Sequence, residues 1–278
     1  MAKFIVTDST SDLPDSYKQK SNIRIVPLNV HIHNEEYKDG VDLNNQIYYQ
    51  RLRSEPISPL TSQPSSGDFL AVFNSFDPGD EILVILLSSF LSGTTQSALL
   101  ASEIIGQQNQ DLKIEMIDSQ SAAIGLGFQV MRAYEMIETG KSLTEVKAEL
   151  LRIQDKNKIF FVVDNLEYLF RGGRISSLSK QIGNILQLKP ILTLNEGKIE
   201  VLDKVRTKPK AISRILAEVK QDLAHIENLA VIHIDNVKEA EQLAEEVCSF
   251  YRGPIQITES GPVIGTHTGP DTLGLAYY

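Results

Sequence analysis

Apolar and polar positions alternate along the chain in short blocks that predict strands and helices in turn. Residues 3–7 form a β-rich apolar run that closes on Asp8-Ser9-Thr10-Ser11-Asp12-Leu13-Pro14, a polar loop whose Ser, Asp and Pro start a helix near Asp15. Residues 23–32 read as a further strand, in which Pro27 marks an edge or a bulge. Asp42-Leu43-Asn44 opens a helix that runs to about Arg53. Residues 81–85 are apolar with no helical period, as in a strand buried on both faces. Ser92-Gly93-Thr94 then turns the chain into a helix on which Ala98, Leu99, Ala101, Ile104 and Ile105 recur at helical spacing.

A strand at 113–117 and a hydroxyl-rich joint at 118–123 precede a long helix that Gly140 is placed to end. Ser142-Leu143-Thr144-Glu145 has the spacing of a capping box and begins a helix that turns polar at 154–158. That polar stretch sets the expected boundary between an N-terminal domain, 1–157, and a C-terminal domain, 158–278. The second part predicts a strand at 159–164 and a helix at 165–170. A hairpin follows, turning at Asn195-Glu196-Gly197, and then a strand at 230–235 and a helix bearing Cys248. Its tail, 261–272, reads as a loop rich in Gly and Thr. The fold class is therefore α/β: a mostly parallel N-terminal sheet flanked by helices, and a mixed C-terminal sheet with helices.

The chain of 278 residues is 42% hydrophobic and 23% charged, the balance of a soluble globular protein. A net charge of -9 argues against a general nucleic-acid binder, which needs a basic surface to displace counterions. With Cys248 as the one cysteine, no internal disulfide or cysteine zinc site can form. The first residues enter a strand at once, without the apolar core of a signal peptide, and no later run approaches the ~20 residues that span a bilayer. The expectation is a cytoplasmic protein with no stable membrane insertion.

Phosphate-loop, dinucleotide, nucleophile-elbow and His-Glu-x-x-His signatures are absent, which lowers each named enzyme class. His31 and His33 share a strand face but have no further ligands at metal spacing, so no metal site is expected. The Ser92-Gly93-Thr94 turn is suited to a small anion, since the first amides of a helix lack acceptors and hydroxyls add donors; capping of its own helix is the alternative. Asp8 with Ser9 is either a carboxylate–hydroxyl pair for catalysis or a loop cap. His267, among glycines and threonines, can reach a cleft or bond its own backbone. Arg171 and Arg174 bracket two glycines, and cations alternate from Lys204 through Arg206 to Lys210, as in a docking patch for an acidic partner or a solvated face.

Six motifs, Asp8-Ser9-Thr10, Thr61-Ser62-Gln63-Pro64-Ser65, Ser88 to Thr94, Arg171-Gly172-Gly173-Arg174, Lys204-Val205-Arg206-Thr207 and His267-Thr268-Gly269-Pro270, together resemble the DegV family over essentially the whole chain. The resemblance implies two α/β domains with a long-chain fatty acid, such as palmitate or oleate, in a tunnel near their junction. It also implies a binding subunit that presents the carboxylate to a separate ATP-using kinase, with no cofactor of its own. By motif match the head group meets Thr61, Ser62, Ser92, Gly93, Thr94 and His267, and the kinase meets the region of Arg171, Arg174, Lys204 and Arg206. Phe69, Phe73, Ile124, Phe128 and Leu186 are tunnel candidates that sequence does not separate from core. Thr95 stands where the family commonly has Tyr, and Asp271 where it commonly has Gly; the carboxylate of Asp271 beside His267 is expected to favour the imidazolium. Two rival readings are a hydrolase of acyl or phosphate esters, with Ser92 as nucleophile and His267 as base, and a regulator sensing a small anion.

Overall fold

The computed structural model describes residues 2–108, 111–175 and 188–278. In chain order the first half runs β1 (Lys3–Asp8), α1 (Asp15–Lys18), β2 (Ile23–Val26), β3 (Asn29–Ile32), β4 (Glu35–Lys38), α2 (Asn45–Ser54), β5 (Leu60–Ser62), α3 (Ser66–Phe73), β6 (Glu81–Leu86), α4 (Thr94–Gln108), β7 (Lys113–Asp118), α5 (Ala123–Glu138) and α6 (Leu143–Lys156). The second half adds β8 (Lys158–Val162), α7 (Glu167–Arg171), β9 (Lys189–Asn195), β10 (Lys198–Val205), α8 (Lys208–Asp222), β11 (Leu229–His233), α9 (Val237–Cys248), β12 (Ile255–Glu259), α10 (Pro262–Thr268) and β13 (Leu273–Tyr277). Among the described residues no helix is long and apolar enough to cross a membrane.

Among the described residues three sheets form, and none of them mixes strands from the two sides of residue 157. A parallel sheet has the order β2-β1-β6-β7, a six-stranded mixed sheet the order β10-β9-β8-β13-β11-β12, and a small antiparallel sheet the order β4-β3-β5. In the parallel sheet the chain leaves β1 to one side for β2 and is later found on the other side as β6. The crevice between the carboxyl ends of β1 and β6 is thus a topological switch point, where α/β sheets take ligands.

Side-chain alternation sorts each strand between two cores. Along β6, Ile82, Val84 and Leu86 face a core closed by α3 and α4, with Phe69 and Phe73 fully buried in it. Leu83 and Ile85 face the opposite way, into a core that continues across to the six-stranded sheet through Ile159, Phe161, Ala230 and Ile232. The next residues on those strands, Phe160, Val162, Leu229 and Val231, turn to a third core under α8 and α9. One apolar layer is therefore shared by the two large sheets.

Several local expectations hold. Ser142 and Glu145 form the capping box, with each side chain bonded to the other's backbone amide. Gly140 follows α5 in a left-handed conformation (φ 85°). Asn195 pairs with Lys198 across a two-residue turn in which Glu196 and Gly197 both have positive φ, the signature of type I′.

Others are corrected. Pro27 does not lie within one strand: the chain stops at Val26, changes sheets, and resumes as β3, because Pro lacks the amide a continuing ladder needs. The small sheet leaves little signal in the sequence, its strands β4 and β5 being short and polar. The tail is not a loop, since Pro262 sits at the first position of α10 and places His267 on a helix. Phe69 and Phe73 lie beyond the parallel sheet from the shared layer, and Phe128 packs edge-on against Tyr278 at 5.4 Å. Leu186 lies outside the described residues.

Candidate functional site

Asp8 organises the switch point. Its Oδ1 accepts from the amide and hydroxyl of Thr10, and its Oδ2 accepts from the Leu87 amide at 2.8 Å, tying the loop after β1 to the loop after β6. Burial raises its pKa to about 6, although these hydrogen bonds pull the other way. The cap, not a catalytic pair with Ser9, is what the geometry contains; Ser9 Oγ instead accepts from the Leu28 amide at 3.1 Å.

Between the sheets lies a narrow apolar cavity of about 100 Å³, walled by Leu87, Leu91, Phe161, Leu194, Ile232 and Val263 among others. Ala122 and Ala123, at the start of α5, border it, whereas Phe69, Phe73, Ile124 and Phe128 do not. At one end the lining turns polar, with Thr61, Gln63, Ser92, Arg174 and His267.

Thr61 Oγ1 and His267 Nε2 are hydrogen-bonded at 2.7 Å, joining β5 to α10. His267 approaches the chain so closely at Gly172 that a Cβ there would collide with Nδ1, which explains a glycine in Arg171-Gly172-Gly173-Arg174. That Nδ1 is buried and has no partner among the described residues. Burial and the Arg174 cation push the His267 pKa down to about 3, so the imidazole is neutral. The expected imidazolium is therefore corrected. Asp271 is engaged elsewhere, accepting both Arg53 Nη atoms at 3.1 Å and the Asn236 amide.

Ser92 Oγ and Thr94 Oγ1 share a hydrogen bond of 2.9 Å at the start of α4. Ser92 borders the cavity; Thr94 is fully buried behind it. Gln63 lies across Gly93, where a Cβ would collide with the amide group of its side chain, and its Nε2 donates to Ser97 Oγ at 3.0 Å. Strand alternation turns the Ser62 hydroxyl away from that of Thr61, and it meets His31 Nε2 at 2.8 Å. Ser62 thus borders the cavity with its hydroxyl already engaged.

The basic residues divide. Arg174 is half-buried, bonds the Leu91 carbonyl through Nε at 3.1 Å, and lines the cavity; burial lowers its pKa, yet a guanidinium stays charged. Arg171 is exposed over the Tyr168 ring and donates to Ser58. Lys198, at the start of β10, stands over the Phe90 ring at 4.2 Å and shares a surface depression with Gly93 and Arg174. Lys204 and Arg206 lie at the far end of that strand, about 20 Å along it.

Sequence reasoning missed Gln63 and the inward position of Arg174. The pattern Thr61-Ser62-Gln63 held the first signal, since alternate residues share a face; nothing local to Arg171-Gly172-Gly173-Arg174 separates an inward from an outward arginine. The nucleophile–base hydrogen bond that a hydrolase needs is not found between Ser92 and His267, each being bonded to another hydroxyl. Among the described residues no three His, Cys, Asp or Glu side chains are grouped to hold a metal ion.

Fold and site define an α/β protein whose two large sheets share one apolar core, with an apolar cavity lined also by a cation, hydroxyls and a neutral imidazole. The family model described as "Uncharacterised protein, DegV family" matches residues 4–278, and the chain belongs to the DegV family. A DegV domain-containing protein of Clostridium acetobutylicum is 38% identical over 281 residues, covering 100% of this chain and 98% of that one. A structure from Thermus thermophilus, described as fatty acid binding of a DegV family protein, superposes with a TM-score of 0.90 at 35% identity, covering 100% of this chain and 99% of that one. A stearic acid-binding protein from Eubacterium ventriosum superposes with a TM-score of 0.91 at 28% identity, covering 100% and 98%.

Proposed function

We propose that this chain binds a long-chain fatty acid such as palmitate or oleate, and that it presents the carboxylate to a separate ATP-dependent kinase in the cytoplasm. The chain works without a cofactor, and its halves, 1–157 and 158–278, act as two domains with the ligand at their junction. The observation that carries this reading is the joining of an apolar cavity to the polar cluster of Arg174, Thr61, His267 and Ser92. Each methylene removed from water contributes ~0.8 kcal/mol, so the tail supplies most of the affinity. An unpaired buried carboxylate would cancel that gain.

The charge that balances the carboxylate is Arg174, since His267 is neutral. We assign the His267 proton to Nε2, which donates to Thr61 and leaves the Thr61 hydroxyl proton for the ligand; the reverse tautomer would strand a buried Nδ1–H. Ser92, oriented by Thr94, and the first amides of α4 at Gly93 complete the donors. The depression outside Gly93, Arg174 and Lys198 gives a partner access to the carboxylate. There a carboxylate oxygen bonds to the γ-phosphorus of ATP as the bond to ADP breaks, yielding an acyl phosphate, and the chain contributes positioning alone. Arg171, Lys204 and Arg206 are the proposed partner contacts. The fatty-acid-binding relatives from Thermus thermophilus and Eubacterium ventriosum support the ligand class.

Mass spectrometry of natively purified protein should find a copurified acyl chain, and the stripped protein should bind palmitate saturably. Absence of both would remove the carrier reading. Arg206→Glu should leave palmitate affinity within about twofold and slow acyl phosphate formation by the kinase. Loss of both together would abolish the separate docking face.

A further inference from the structure

Residues 260–272 leave the six-stranded sheet after β12, form α10, and return to that sheet as β13. Both ends of the segment stay bonded to the sheet: the Ser260 amide donates to the His233 carbonyl at 3.1 Å, and the Ile234 amide to the Thr272 carbonyl at 3.0 Å. The part between them is fastened to the first half of the chain. Tyr49 Oη donates to the Ser260 and Gly261 carbonyls at 2.5 and 3.0 Å, Tyr48 Oη meets Thr266 Oγ1 at 2.7 Å, and a Cβ on Gly265 would collide with the Tyr49 ring. The segment is a strap, hinged at both ends in one sheet and laid over the other half. It supplies Val263, Ile264, His267, Thr268 and Thr272 to the cavity wall, so the cavity is closed on that side while the strap is down.

Two carboxylates hold the first turn of the strap. Asp12 accepts from the Ser260 hydroxyl and, at 3.3 Å, from the Gly261 amide; Asp39 accepts from the Val263 amide and from the Ser9 hydroxyl. The titratable groups that face this pair are Asp8 after β1, Lys18 on α1, Tyr48 and Tyr49 on α2, and Glu259 at the end of β12. Lys18 is the one cation among these five, and it is paired with Asp15 at 3.4 Å. A polar surface depression of about 540 Å³ borders Asp12, Asp39 and Gly261, which puts the joint at the edge of solvent.

We propose that residues 260–272 lift from the first half of the chain as pH rises, released by ionisation of Asp12 and Asp39, and that this lifting admits and discharges the occupant of the cavity. The second clause rests on the fatty acid reading; the strap itself does not. Burial pushes both carboxyls up to about 7 against the hydrogen bonds they accept, with Asp39 raising Asp12, Asp8 raising Asp39, and Lys18 lowering both. Lifting the strap hydrates the pair and returns it towards the ordinary 3.8, so each carboxyl loses its proton on lifting between about pH 4 and pH 7. The lifted fraction therefore grows by up to about tenfold per pH unit for each carboxyl over that range, and levels off above it. The lifted form is a minor state throughout, so uptake and discharge quicken together while affinity holds level.

Amide hydrogen exchange of the stripped full chain at pH 5, 6 and 7, with the intrinsic rate of each amide divided out, tests the strap. A helix of seven residues does not keep its own hydrogen bonds once lifted, so the Gly261, Val263 and Gly265 amides report the opening. We expect their protection to lie below that of the β6 amides and to fall at least about tenfold from pH 5 to pH 7. Asp12→Asn should make that fall shallower, and Asp39→Asn serves if Asp12→Asn does not fold. Protection that ignores pH, or that equals the protection of β6 at every pH, would overturn the strap. Discharge of bound palmitate to excess albumin should quicken severalfold from pH 6 to pH 7.5. A constant discharge rate beside a pH-dependent strap would overturn the link to the cavity, whereas failure of palmitate to bind at all removes the fatty acid reading and leaves the exchange profile to decide the strap.

Discussion

The two ends of the short helix Pro262–Thr268 sit in opposite chemical company, although burial does the same thing at both. At its C-terminal end burial and Arg174 strip the proton from His267, leaving a neutral imidazole beside a cation. At its N-terminal end burial keeps protons on Asp12 and Asp39 near neutral pH, leaving half-neutral acids beside backbone amides. Each end thus avoids a buried charge of its own, by losing a proton at His267 and by keeping protons at Asp12 and Asp39. Carrying titratable side chains is therefore a poor guide to a site's charge; the proton count follows from depth and neighbours.

The comparison breaks most readily at Arg174. Arg174→Gln should weaken palmitate binding about 10- to 100-fold, the worth of a charge-assisted hydrogen bond, as read by titration of the stripped protein. An unchanged affinity would return the negative head group to some other partner. Next in size is stability against pH. Asp8, Asp12 and Asp39 have folded pKa values of about 6, 7 and 7, above their ordinary 3.8. Their contribution is complete below about pH 4 and is lost as pH rises through 6 to 7. The melting temperature should therefore fall between about pH 4 and pH 7, and Asp12→Asn should flatten that fall. Thr61→Val should cost palmitate binding about fivefold, one neutral hydrogen bond, with the fold intact by circular dichroism. The smallest effect sharpens the contrast. With His267 titrating at about 3, palmitate affinity should stay level from about pH 6 to 8. An imidazolium partner would instead lose affinity tenfold per unit above about pH 6.5.

Much of this was legible along the chain, because the strands and helices of the large sheets carry their period in apolar residues and their ends in Ser, Asn, Gly and Pro. The β6–turn–α4 unit and the 195–198 hairpin are local objects, and local signals suffice for them. What was not legible is relational. Phe69 and Phe73 look like pocket residues until alternation along β6 assigns them to the far side of the sheet. Asp271 is near His267 in sequence, yet a left-handed residue (φ 62°) directs the chain so that its carboxylate meets Arg53, more than two hundred positions earlier. The helix bearing His267 was hidden by Gly261, Gly265 and Gly269, whose spacing imitates a loop.

The type I′ hairpin also reaches across the molecule. Ser88 Oγ donates to the Gly197 carbonyl at 2.8 Å, in a contact too close for any side chain at Gly197. Ser88 begins the very turn that presents Ser92, so a loop from the C-terminal half latches the segment that grips the proposed head group. In the carrier reading, the turn past which a cargo leaves is held by this one hydrogen bond between the two halves of the chain.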